Sequence, residues 1–497
     1  MKSIVDENLV SFKVLEQKIF DYVCELGRLI TQQVLENYDK ELSQSRDKKL
    51  YRGKGKRKTS IKTVYGEVEY NRTVYRTKTE QGETAYVYLL DKAMQMDKIG
   101  LISTNLAEKI AMTVTEAPYR VTAETISSTC GQTISSGGVW NMMQRLGERI
   151  SEEEKHAVKE MNADQTKGEK IIPVLFEEMD GVWLHMQDSN HKKMKKQEMK
   201  VFTMYEGWDE EKETQNRSTL VGKTMLAGME SSNEFHEKRE ALIERKYNAD
   251  EIGQRILNGD GGSWIKEPYD PDTIFQLDRY HIYQEILRKI GDKEAQKEAR
   301  ELFEAEKIEE LLEFITVYAD SVETPDGKDK RSKNARELHT YLKNNREGLL
   351  PYQKQGKKIP EPQKGILYKN MGVQESQNCT VITMRMKHRR MRWSKEGANN
   401  LAKVLYRKEN KELCSTIERY TDGLIFTAQI VFCKPFLYKI AKCFCRLLHL
   451  HFVGDCKAST DSYSASRKTL QTLFNCYSTR YGNGSSEFSS SCACSLK

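Results

Sequence analysis

Residues 170–280 alternate short apolar runs with charged stretches, and this alternation restricts the folds open to the chain. Ile171–Phe176 is a continuous apolar run typical of a buried strand, and Gly181–Gln187 and Met199–Tyr205 are predicted to follow as neighbouring strands. A charged helix is predicted around Phe235–Tyr247. Strands interleaved with helices indicate an α/β core, and 497 residues leave room for further domains around it. The predicted fold class is therefore multidomain α/β.

Seven segments are predicted along the chain. An amphipathic helix and a small β region with a basic loop lead into a helical region, and a helical insertion splits the α/β core that follows. An atypical tail rich in Cys and Ser ends the chain. The predicted bounds, in this order, are 1–50, 51–98, 99–165, 166–282 for the first part of the core, 283–370 for the insertion, 371–413 for the end of the core and 414–497 for the tail.

Charge and cysteine usage exclude several classes of protein. Lys and Arg number 80 against 73 acidic residues, a net charge of +7, so any affinity for polyanions must come from local patches. The N-terminus has no signal-peptide pattern, and no uncharged apolar run of about 18 residues is present, so we expect no membrane partner. Only three of the eleven cysteines precede residue 414, which fits a reducing compartment. The sequence predicts a soluble, cytoplasmic protein.

A basic group precedes the predicted Tyr65-Gly66 turn between two strands. Its positive charges are suited to phosphate contacts, although a solvated charged turn explains them equally well. We predict DNA contact for this group, which consists of Lys54, Lys56, Arg57 and Lys58.

The segment from Tyr119 to Gly147 has the layout of a helix-turn-helix. One helix is predicted to stop at Cys130-Gly131 and a second to open near Ser135. In a DNA-binding helix-turn-helix, the start of the second helix faces a groove of the duplex. Pairs of helices joined by a glycine turn are also common in proteins that never bind DNA. The predicted groove-facing residues are Ser136, Asn141 and Gln144.

Three acidic residues occupy the kind of position where α/β proteins bind ligands. Asp180 follows a predicted central strand, Asp260 ends another, and Glu396 lies in the first turn of a late helix. Side chains at strand ends and neighbouring helix starts can converge while the sheet holds them rigid. Individually, Asp180-Gly181 and Asp260-Gly261 also fit ordinary turns, and Glu396 fits a capping box with Ser394. As a trio they predict a shared metal site.

Convergent carboxylates suit hard divalent cations. Mg²⁺ and Mn²⁺ prefer oxygen ligands, and two such ions about 3.5–4 Å apart can stabilise the attacking and leaving oxygens of an in-line phosphoryl displacement. Carboxylates held together also repel one another, so the cluster is stable as anions only if cations neutralise it. We therefore assign Asp180, Asp260 and Glu396 as both the predicted metal ligands and the predicted catalytic residues of a two-metal site.

Four motifs together resemble a known family. "EEMDGVWLHMQD", "NGDGGSWI", "FQLDRYH" and "MKHRRMRWSKEGANNLAKVL", in this order, are similar to the ISLre-type insertion-sequence transposases, a group within the DDE transposases. The likeness covers roughly residues 1–413 and implies a ribonuclease-H-like mixed-sheet core. It also implies a DNA transposase that binds terminal inverted repeats, cuts there and joins the ends to target DNA using Mg²⁺ or Mn²⁺. Self-association, and hence a homo-oligomer at the nucleoid, is implied by the resemblance alone.

Two further groups lie near the predicted site. Asp278 and His281 fall on one face of a helix opening after a strand, and we predict a supporting role for them, with Asp278 as the alternative third ligand. A strand is predicted to start at Cys379 and to lead into a basic run before Glu396. This run is predicted to hold phosphates, a solvated basic loop being the alternative. The predicted DNA-binding residues of this run are Arg385, Lys387, Arg389, Arg390 and Arg392.

Other signals are rejected or left as alternatives. Gly222-Lys223-Thr224 lacks the P-loop's first glycine, because Arg217 stands there, so no nucleotide cofactor is expected. The tail departs from the family pattern, and one hypothesis is a frameshift that leaves the transposase truncated and inactive. A ribonuclease-H-like nuclease or resolvase without strand transfer, and an inactive DNA-binding derivative of a transposase, are the alternative functions.

Overall fold

The computed structural model describes residues 11–79, 81–94, 102–214, 218–266, 271–324 and 330–421. Residues from 21 onward in this set belong to one compact unit, whereas residues 11–20 are grouped separately. Everything beyond residue 421 lies outside the described residues, which includes most of the tail for which a frameshift is hypothesised. The predicted mixed α/β class is confirmed for the described part of the chain. No helix among these residues is both long enough and apolar enough to cross a membrane.

The N-terminal region is a helix beside a small antiparallel sheet. The chain forms α1 (Phe12–Ser45), β1 (Arg52–Thr63), β2 (Gly66–Lys78), β3 (Thr84–Tyr88) and α2 (Leu89–Met94). The predicted helix and the strand pair around Tyr65-Gly66 are both confirmed. Asp39 of α1 fixes the helix to the sheet, because its carboxylate accepts hydrogen bonds from the backbone N–H and the hydroxyl of Thr73, at 2.9 and 2.7 Å. The predicted basic loop is wrong, since its four basic residues lie exposed within β1.

Three helices connect this region to the core: α3 (Thr104–Glu116), α4 (Tyr119–Thr129) and α5 (Ser136–Asn162). The predicted helices on either side of Cys130-Gly131 both form, and Ser135 caps α5 by accepting a hydrogen bond from the backbone N–H of Gly138. Ser136 and Asn141 are exposed. Gln144 is buried, however, and its amide oxygen accepts a 2.8 Å hydrogen bond from Asn400 Nδ2, so the prediction that it faces DNA is wrong.

The core strands are β4 (Val174–Leu184), β5 (Gln197–Tyr205), β6 (Gly207–Asp209), β7 (Leu220–Val221), β8 (Thr224–Gly228), β9 (Gln254–Gly259), β10 (Ile274–Leu277) and β11 (Ile366–Leu367). Within the described residues, five of them form the main sheet in the order β10-β9-β4-β5-β8. β5 is antiparallel to β4 and to β8, whereas β9 and β10 run parallel to β4. β9 and β10 therefore end at one edge of the sheet, level with Met179 of β4, which continues to Leu184.

The remaining helices cover the sheet or form the insertion. They are α6 (Ser232–Lys246), α7 (Ser263–Lys266), α8 (Arg279–Lys289), α9 (Lys293–Glu304), α10 (Ile308–Ser321), α11 (Lys330–Asn344), α12 (Gln374–Gln377), α13 (Met384–Met386), α14 (Lys395–Glu409) and α15 (Leu413–Thr421). A π-helical segment, Asn378–Thr383, joins α12 to α13. The predicted insertion is helical from α8 to α11 and has its own apolar core, which includes Ile286, Phe303 and Ile315.

Two predictions of local structure are wrong. β4 runs unbroken through Asp180-Gly181, so this pair neither ends a strand nor forms a hairpin turn. The predicted strand starting at Cys379 does not form, because 374–386 is helical throughout. Its buried residues explain this, since Gln374, Asn378, Val381, Ile382 and Arg385 recur at helical spacing along one face.

A glycine allows α5 and α14 to approach closely. A Cβ added at Gly147 would lie 2.5 Å from Asn400 Cα and 2.6 Å from Asn400 O, which are backbone atoms that cannot rotate away. We expect Gly147→Ala to lower the free energy of unfolding by about 1–3 kcal/mol, measured by urea denaturation. Gly137→Ala is the control on the same helix, because its nearest neighbour would be Ser135 Oγ at 3.9 Å. It should be neutral or stabilise by up to about 1 kcal/mol. Equal stability of the two variants would contradict the prediction.

Candidate metal centre

Three aspartates lie side by side at the carboxyl edge of the parallel strands. Asp180 is within β4, Asp260 directly follows β9, and Asp278 directly follows β10. The strand register aligns them, since Met179 pairs with Gly259 and Gly259 with Leu277. The backbone N–H of Asp278 donates a 2.9 Å hydrogen bond to Gly259 O, which extends this alignment past the strand ends. All three side chains are largely buried, so their charges interact across a medium less polar than water.

His281 and Glu375 complete the cluster. His281 lies in the first turn of α8, and its Nε2 is 3.5 Å from Asp180 Oδ1 and 3.9 Å from Asp278 Oδ2. Glu375 comes from α12, and its Oε1 is 3.8 Å from the same nitrogen. Ligand atoms of Asp180, His281 and Glu375 all lie within 4.8 Å of one another. This separation is compatible with a shared divalent cation, whose ligands lie at about 2.0–2.6 Å from the ion.

The charges in the cluster perturb one another. Burial raises the pKa of Asp260, and the neighbouring Asp180 carboxylate raises it further. Burial and Asp180 likewise raise the pKa of Glu375. Burial lowers the pKa of His281, but its hydrogen bond to Asp180 and the charges of Asp180, Asp278 and Asp260 outweigh this and raise it to about 9. The imidazolium therefore offsets the carboxylates at neutral pH, which is the role a bound cation would otherwise serve.

A layer of buried polar side chains lies next to the aspartates, on the amino-terminal side of each. It consists of Glu178, Asn258 and Gln276, each two residues before the aspartate of the same strand. Asn258 Nδ2 donates to Glu178 Oε2 and to Asp278 Oδ1, both at 3.2 Å, and Gln276 Nε2 donates to Asn258 Oδ1 at 3.2 Å. The Tyr205 hydroxyl donates to Glu178 Oε1 at 2.6 Å. These hydrogen bonds fix the orientation of the layer and hence the position of Asp278.

Glu178 also anchors the segment that carries Glu375. Its fully buried carboxylate accepts hydrogen bonds from the backbone N–H groups of Gly372, Val373 and Gln374, at 3.1–3.2 Å. An anion at the N-terminus of a helix is stabilised by these otherwise unpaired donors. Burial raises the pKa of Glu178, while its hydrogen bonds act in the opposite direction. The three backbone hydrogen bonds to Glu178 therefore hold the start of the helix, and with it Glu375, over the site.

The π-helical segment provides a second link to Asp180. Asn378 Nδ2 donates a 2.6 Å hydrogen bond to Asp180 Oδ2, and Asn378 Oδ1 accepts a 2.8 Å hydrogen bond from Gln374 Nε2. Short π-helical segments are rare and often occur at functional sites. Here the segment directs an amide at one oxygen of Asp180 while the other oxygen, Oδ1, faces His281.

A further carboxylate lies across Gly181. Any side chain at Gly181 would collide with the carboxylate of Glu198 on β5, so the glycine makes room for it. Burial raises the pKa of Glu198, and although Lys200 lowers it, the charges of Asp260 and Asp180 raise it further. Glu198 therefore adds negative charge beside the three aspartates.

Glu396 is not one of the residues whose ligand atoms form this cluster. It is exposed in the first turn of α14, whose N-cap is Ser394. That helix packs along β8, where Asn399 Oδ1 accepts a hydrogen bond from Met229 N and Lys403 Nζ donates to Ala227 O. The ligand atoms that cluster around Asp180 come from His281 and Glu375 and do not include those of Glu396. The alternative capping-box role is also wrong, because the third helical residue is Gly397.

The basic run before Glu396 divides into buried and exposed residues. Arg385 is only 4% exposed. Its Nε donates to Val114 O, and its guanidinium lies 5.5 Å from the Tyr119 ring centre and 5.7 Å from that of Trp393. The prediction that Arg385 contacts DNA is therefore wrong, because the side chain packs in the interior. Lys387, Arg390 and Arg392 are exposed, and the side chain of Arg389 lies outside the described residues.

Sequence reasoning missed Glu375, Glu198 and Glu178. Glu375 had no clear signal, because the burial of Gln374 and Asn378 on one helical face is seen only in the structure and a strand is predicted after it. Glu198 and Glu178 carry no sequence signal either. From sequence alone, a charged residue in a strand is predicted to face solvent, because its neighbours on adjacent strands are not known.

The fold and the cluster define a mixed α/β protein with a candidate divalent-cation site. The chain matches the model of an uncharacterised protein family, UPF0236, over residues 5–418, and it belongs to that family. It is similar to several UPF0236 proteins of Caldanaerobacter subterraneus subsp. tengcongensis. One is 24% identical over 413 residues, covering 80% of this chain and 78% of the relative, and another is 24% identical over 402 residues, covering 78% and 76%.

The raised pKa of His281 predicts a pH dependence of stability in the metal-free protein. The pKa is about 9 in the folded chain against an ordinary value of 6.5, so protonation stabilises the fold fully below about pH 6.5, and this contribution is lost as pH rises through 9. The side chain is 27% exposed, and we expect it to contribute up to about 3 kcal/mol to the free energy of unfolding.

Urea unfolding with a chelator present, from about pH 6 to 10, should show that His281→Gln loses this contribution. His156→Gln, at a 71% exposed site, is the control. Parallel curves for wild type and His281→Gln would contradict the prediction.

Proposed function

We propose that this protein is a DNA transposase that uses Mg²⁺ or Mn²⁺ to cut element ends and join them to target DNA. The observation that carries the proposal is the convergence of Asp180, His281 and Glu375 beside Asp260 and Asp278, at the carboxyl edge of a mixed sheet. In this proposal Asp180, Asp260 and Glu375 hold the cations, and Glu375 takes the role assigned to Glu396 on sequence grounds. Asp278 and His281 orient and balance the charge of these ligands.

The donor set fits hard divalent cations. The cluster offers several carboxylate oxygens and one imidazole, and oxygen ligands are those preferred by Mg²⁺ and Mn²⁺. A bound pair of such ions would supply Lewis-acid stabilisation of the attacking and leaving oxygens of a phosphodiester. Asp180 would hold a cation through Oδ1, which faces His281, while Asn378 orients the carboxylate through the other oxygen. The protonated His281 would give up its proton when a cation occupies the site.

The strand order of the main sheet supports the proposal of a ribonuclease-H-like core, which the resemblance to the ISLre-type transposases implies. Three antiparallel strands, β4, β5 and β8, are followed by β9 and β10 parallel to β4, and a helical insertion separates β10 from Glu375. The carboxylates lie on β4, after β9 and on the helix after the insertion. Their order along the chain is therefore Asp, Asp, Glu, as the name of the DDE group requires.

The relatives supply a separate argument. The name printed for one relative joins eleven locus designations, and that of another joins four. One protein assigned to many loci of a genome is expected of a mobile element that copies or moves itself. It is not expected of a structural protein or a single-copy nuclease, so this repetition favours transposition over the nuclease alternative.

The test is a cleavage and strand-transfer assay with DNA from the ends of the element, in the presence of Mn²⁺. Wild type should cut the ends and join them to a second duplex, whereas Asp180→Asn should lose at least about 10³-fold in rate, because it neutralises a proposed cation ligand. Asp164→Asn, at an exposed position after α5, is the matched control and should retain activity. Cleavage without joining would replace the proposal with a nuclease, and equal activity of Asp180→Asn and wild type would show that this site is not the catalytic one.

A further inference from the structure

The connection between β4 and β5 is strongly basic and exposed. Residues 188–196, here called the basic hairpin, read "DSNHKKMKK", and all of them from Ser189 onward are exposed. None of the hairpin's lysines forms an ion pair with any other residue that the structure describes. Their charges therefore face solvent without compensation. The four lysines are Lys192, Lys193, Lys195 and Lys196.

The basic hairpin has a defined conformation. Asp188 Oδ1 accepts hydrogen bonds from the backbone N–H groups of Asn190 and Lys192, at 2.9 and 2.8 Å. The backbone N–H of Asp188 donates to Lys192 O at 3.0 Å, and that of Met194 donates to Met186 O at 3.0 Å. The single acidic residue of the hairpin is thus used to shape the turn, which leaves the lysines on a fixed support.

A second basic segment is attached to the base of the hairpin. The backbone N–H of Gln187 donates to Trp393 O at 2.9 Å, and that of Trp393 donates to His185 O at 3.0 Å. Trp393 is itself buried, with its indole N–H bonded to Met386 O at 2.9 Å. The exposed basic residues on either side of Trp393 therefore share one surface with the hairpin. They are Arg390, Arg392 and Lys395.

This surface extends outward from the metal cluster. β9 and β10 end level with Met179, whereas β4 and β5 remain paired as far as Leu184 and Gln197. A strand rises about 3.3 Å per residue, so Leu184 lies about 13 Å beyond Asp180, and the lysines lie farther along the same ribbon. In a DNA duplex this distance corresponds to about four base pairs. A duplex with its reacting phosphate at the cluster would thus bring its flanking phosphates to the lysines.

We propose that the basic hairpin, together with Arg390, Arg392 and Lys395, binds the phosphate backbone of double-stranded DNA flanking the reacting bond. This inference rests on the proposed function for its choice of substrate. Contacts to phosphate are independent of base sequence and fix the register of the duplex. Seven uncompensated cationic groups on one rigid surface match a duplex, which carries one negative charge per about 1.7 Å of axis.

The test measures binding of a labelled DNA duplex with a chelator present, so that the readout does not depend on catalysis. The hairpin variant changes Lys192, Lys193, Lys195 and Lys196 to Ala. The control variant removes the same net charge from exposed lysines of α9 and α11, changing Lys293, Lys297, Lys333 and Lys343 to Ala. In a third variant the four hairpin lysines become Arg, which keeps the charge and reports on folding of the turn.

We expect the hairpin variant to bind at least about tenfold more weakly than wild type near 0.1 M salt, with its log–log salt slope reduced by up to about 3.6. The control and the arginine variant should bind within about threefold of wild type. Equal weakening of the hairpin and control variants would overturn the inference, because only net charge would then matter. If the expected binding is seen but wild type shows no metal-dependent cleavage, the proposed function fails while the DNA surface stands.

Discussion

Glu375→Gln should reduce metal-dependent DNA cleavage by about 10²–10³-fold, whereas Glu396→Gln should leave it within about threefold of wild type. The two glutamates differ in environment. Glu375 lies 3.8 Å from His281 Nε2 and shares a 4.8 Å cluster with Asp180. Glu396 is exposed in the first turn of α14 and is not part of this cluster. Loss of a metal ligand removes several kcal/mol of transition-state stabilisation, and loss of an exposed first-turn carboxylate removes only a fraction of 1 kcal/mol of helix stability.

The measurement is the cleavage rate at saturating Mn²⁺ for both variants, beside their Mn²⁺ affinities. Each variant removes one charge and keeps the shape of the side chain, so the pair controls for net charge. A large loss in Glu396→Gln with little change in Glu375→Gln would show that α14 supplies the third ligand. If only Asp278→Asn caused a large loss of cleavage rate, Asp278 would be the third cation ligand.

Glu178→Ala should be the most destabilising single change among the residues supporting the site, at about 3–6 kcal/mol. The substitution leaves a cavity and removes the acceptor for three backbone N–H groups, the Tyr205 hydroxyl and Asn258. Each buried donor left without a partner costs about 1–3 kcal/mol. Because the same hydrogen bonds position Glu375, we also expect metal affinity to fall by about 10–100-fold.

Urea unfolding and Mn²⁺ titration of Glu178→Ala test both effects. Glu169→Ala removes an exposed carboxylate from a nearby segment and should change stability by less than about 0.5 kcal/mol. Glu178→Gln separates the effect of the carboxylate from that of packing. Glutamine fills the same space, but only one of its two terminal atoms can accept hydrogen bonds. Full metal affinity in a folded Glu178→Ala protein would show that α12 is positioned by other contacts.

Most strands of the main sheet and some residues of the candidate site could be predicted from the sequence. Asp260 and Asp278 were identifiable because each directly follows an apolar strand, and His281 because it lies one turn into the next helix. Asp180 was found for a reason that proved wrong, since β4 continues past it. Strand pairing keeps the Asp-Gly pair extended, because β5 runs alongside as far as Leu184.

The features that could not be predicted from the sequence depend on contacts between segments that are distant along the chain. The residues after Glu375 favour a strand by local propensity, but hydrogen bonds from Asn378 to Asp180 and burial of Val381 and Ile382 hold them in a helix. Arg385 is predicted to contact DNA from its place in the basic run before Glu396, and Gln144 from its place in the helix-turn-helix pattern. Their partners, Val114 O and Asn400, lie far away along the chain, so neither burial was visible from neighbouring residues.

The anchoring of the 372–374 backbone by Glu178 has a consequence for synthesis of the protein on the ribosome. The aspartates emerge early, but the glutamate that faces them is translated only after the whole helical insertion. Until residues 372–378 leave the exit tunnel and bond to Glu178 and Asp180, the nascent polypeptide has an incomplete set of ligands. A translation product that ends within the insertion would therefore carry all three aspartates and still be unable to assemble the site.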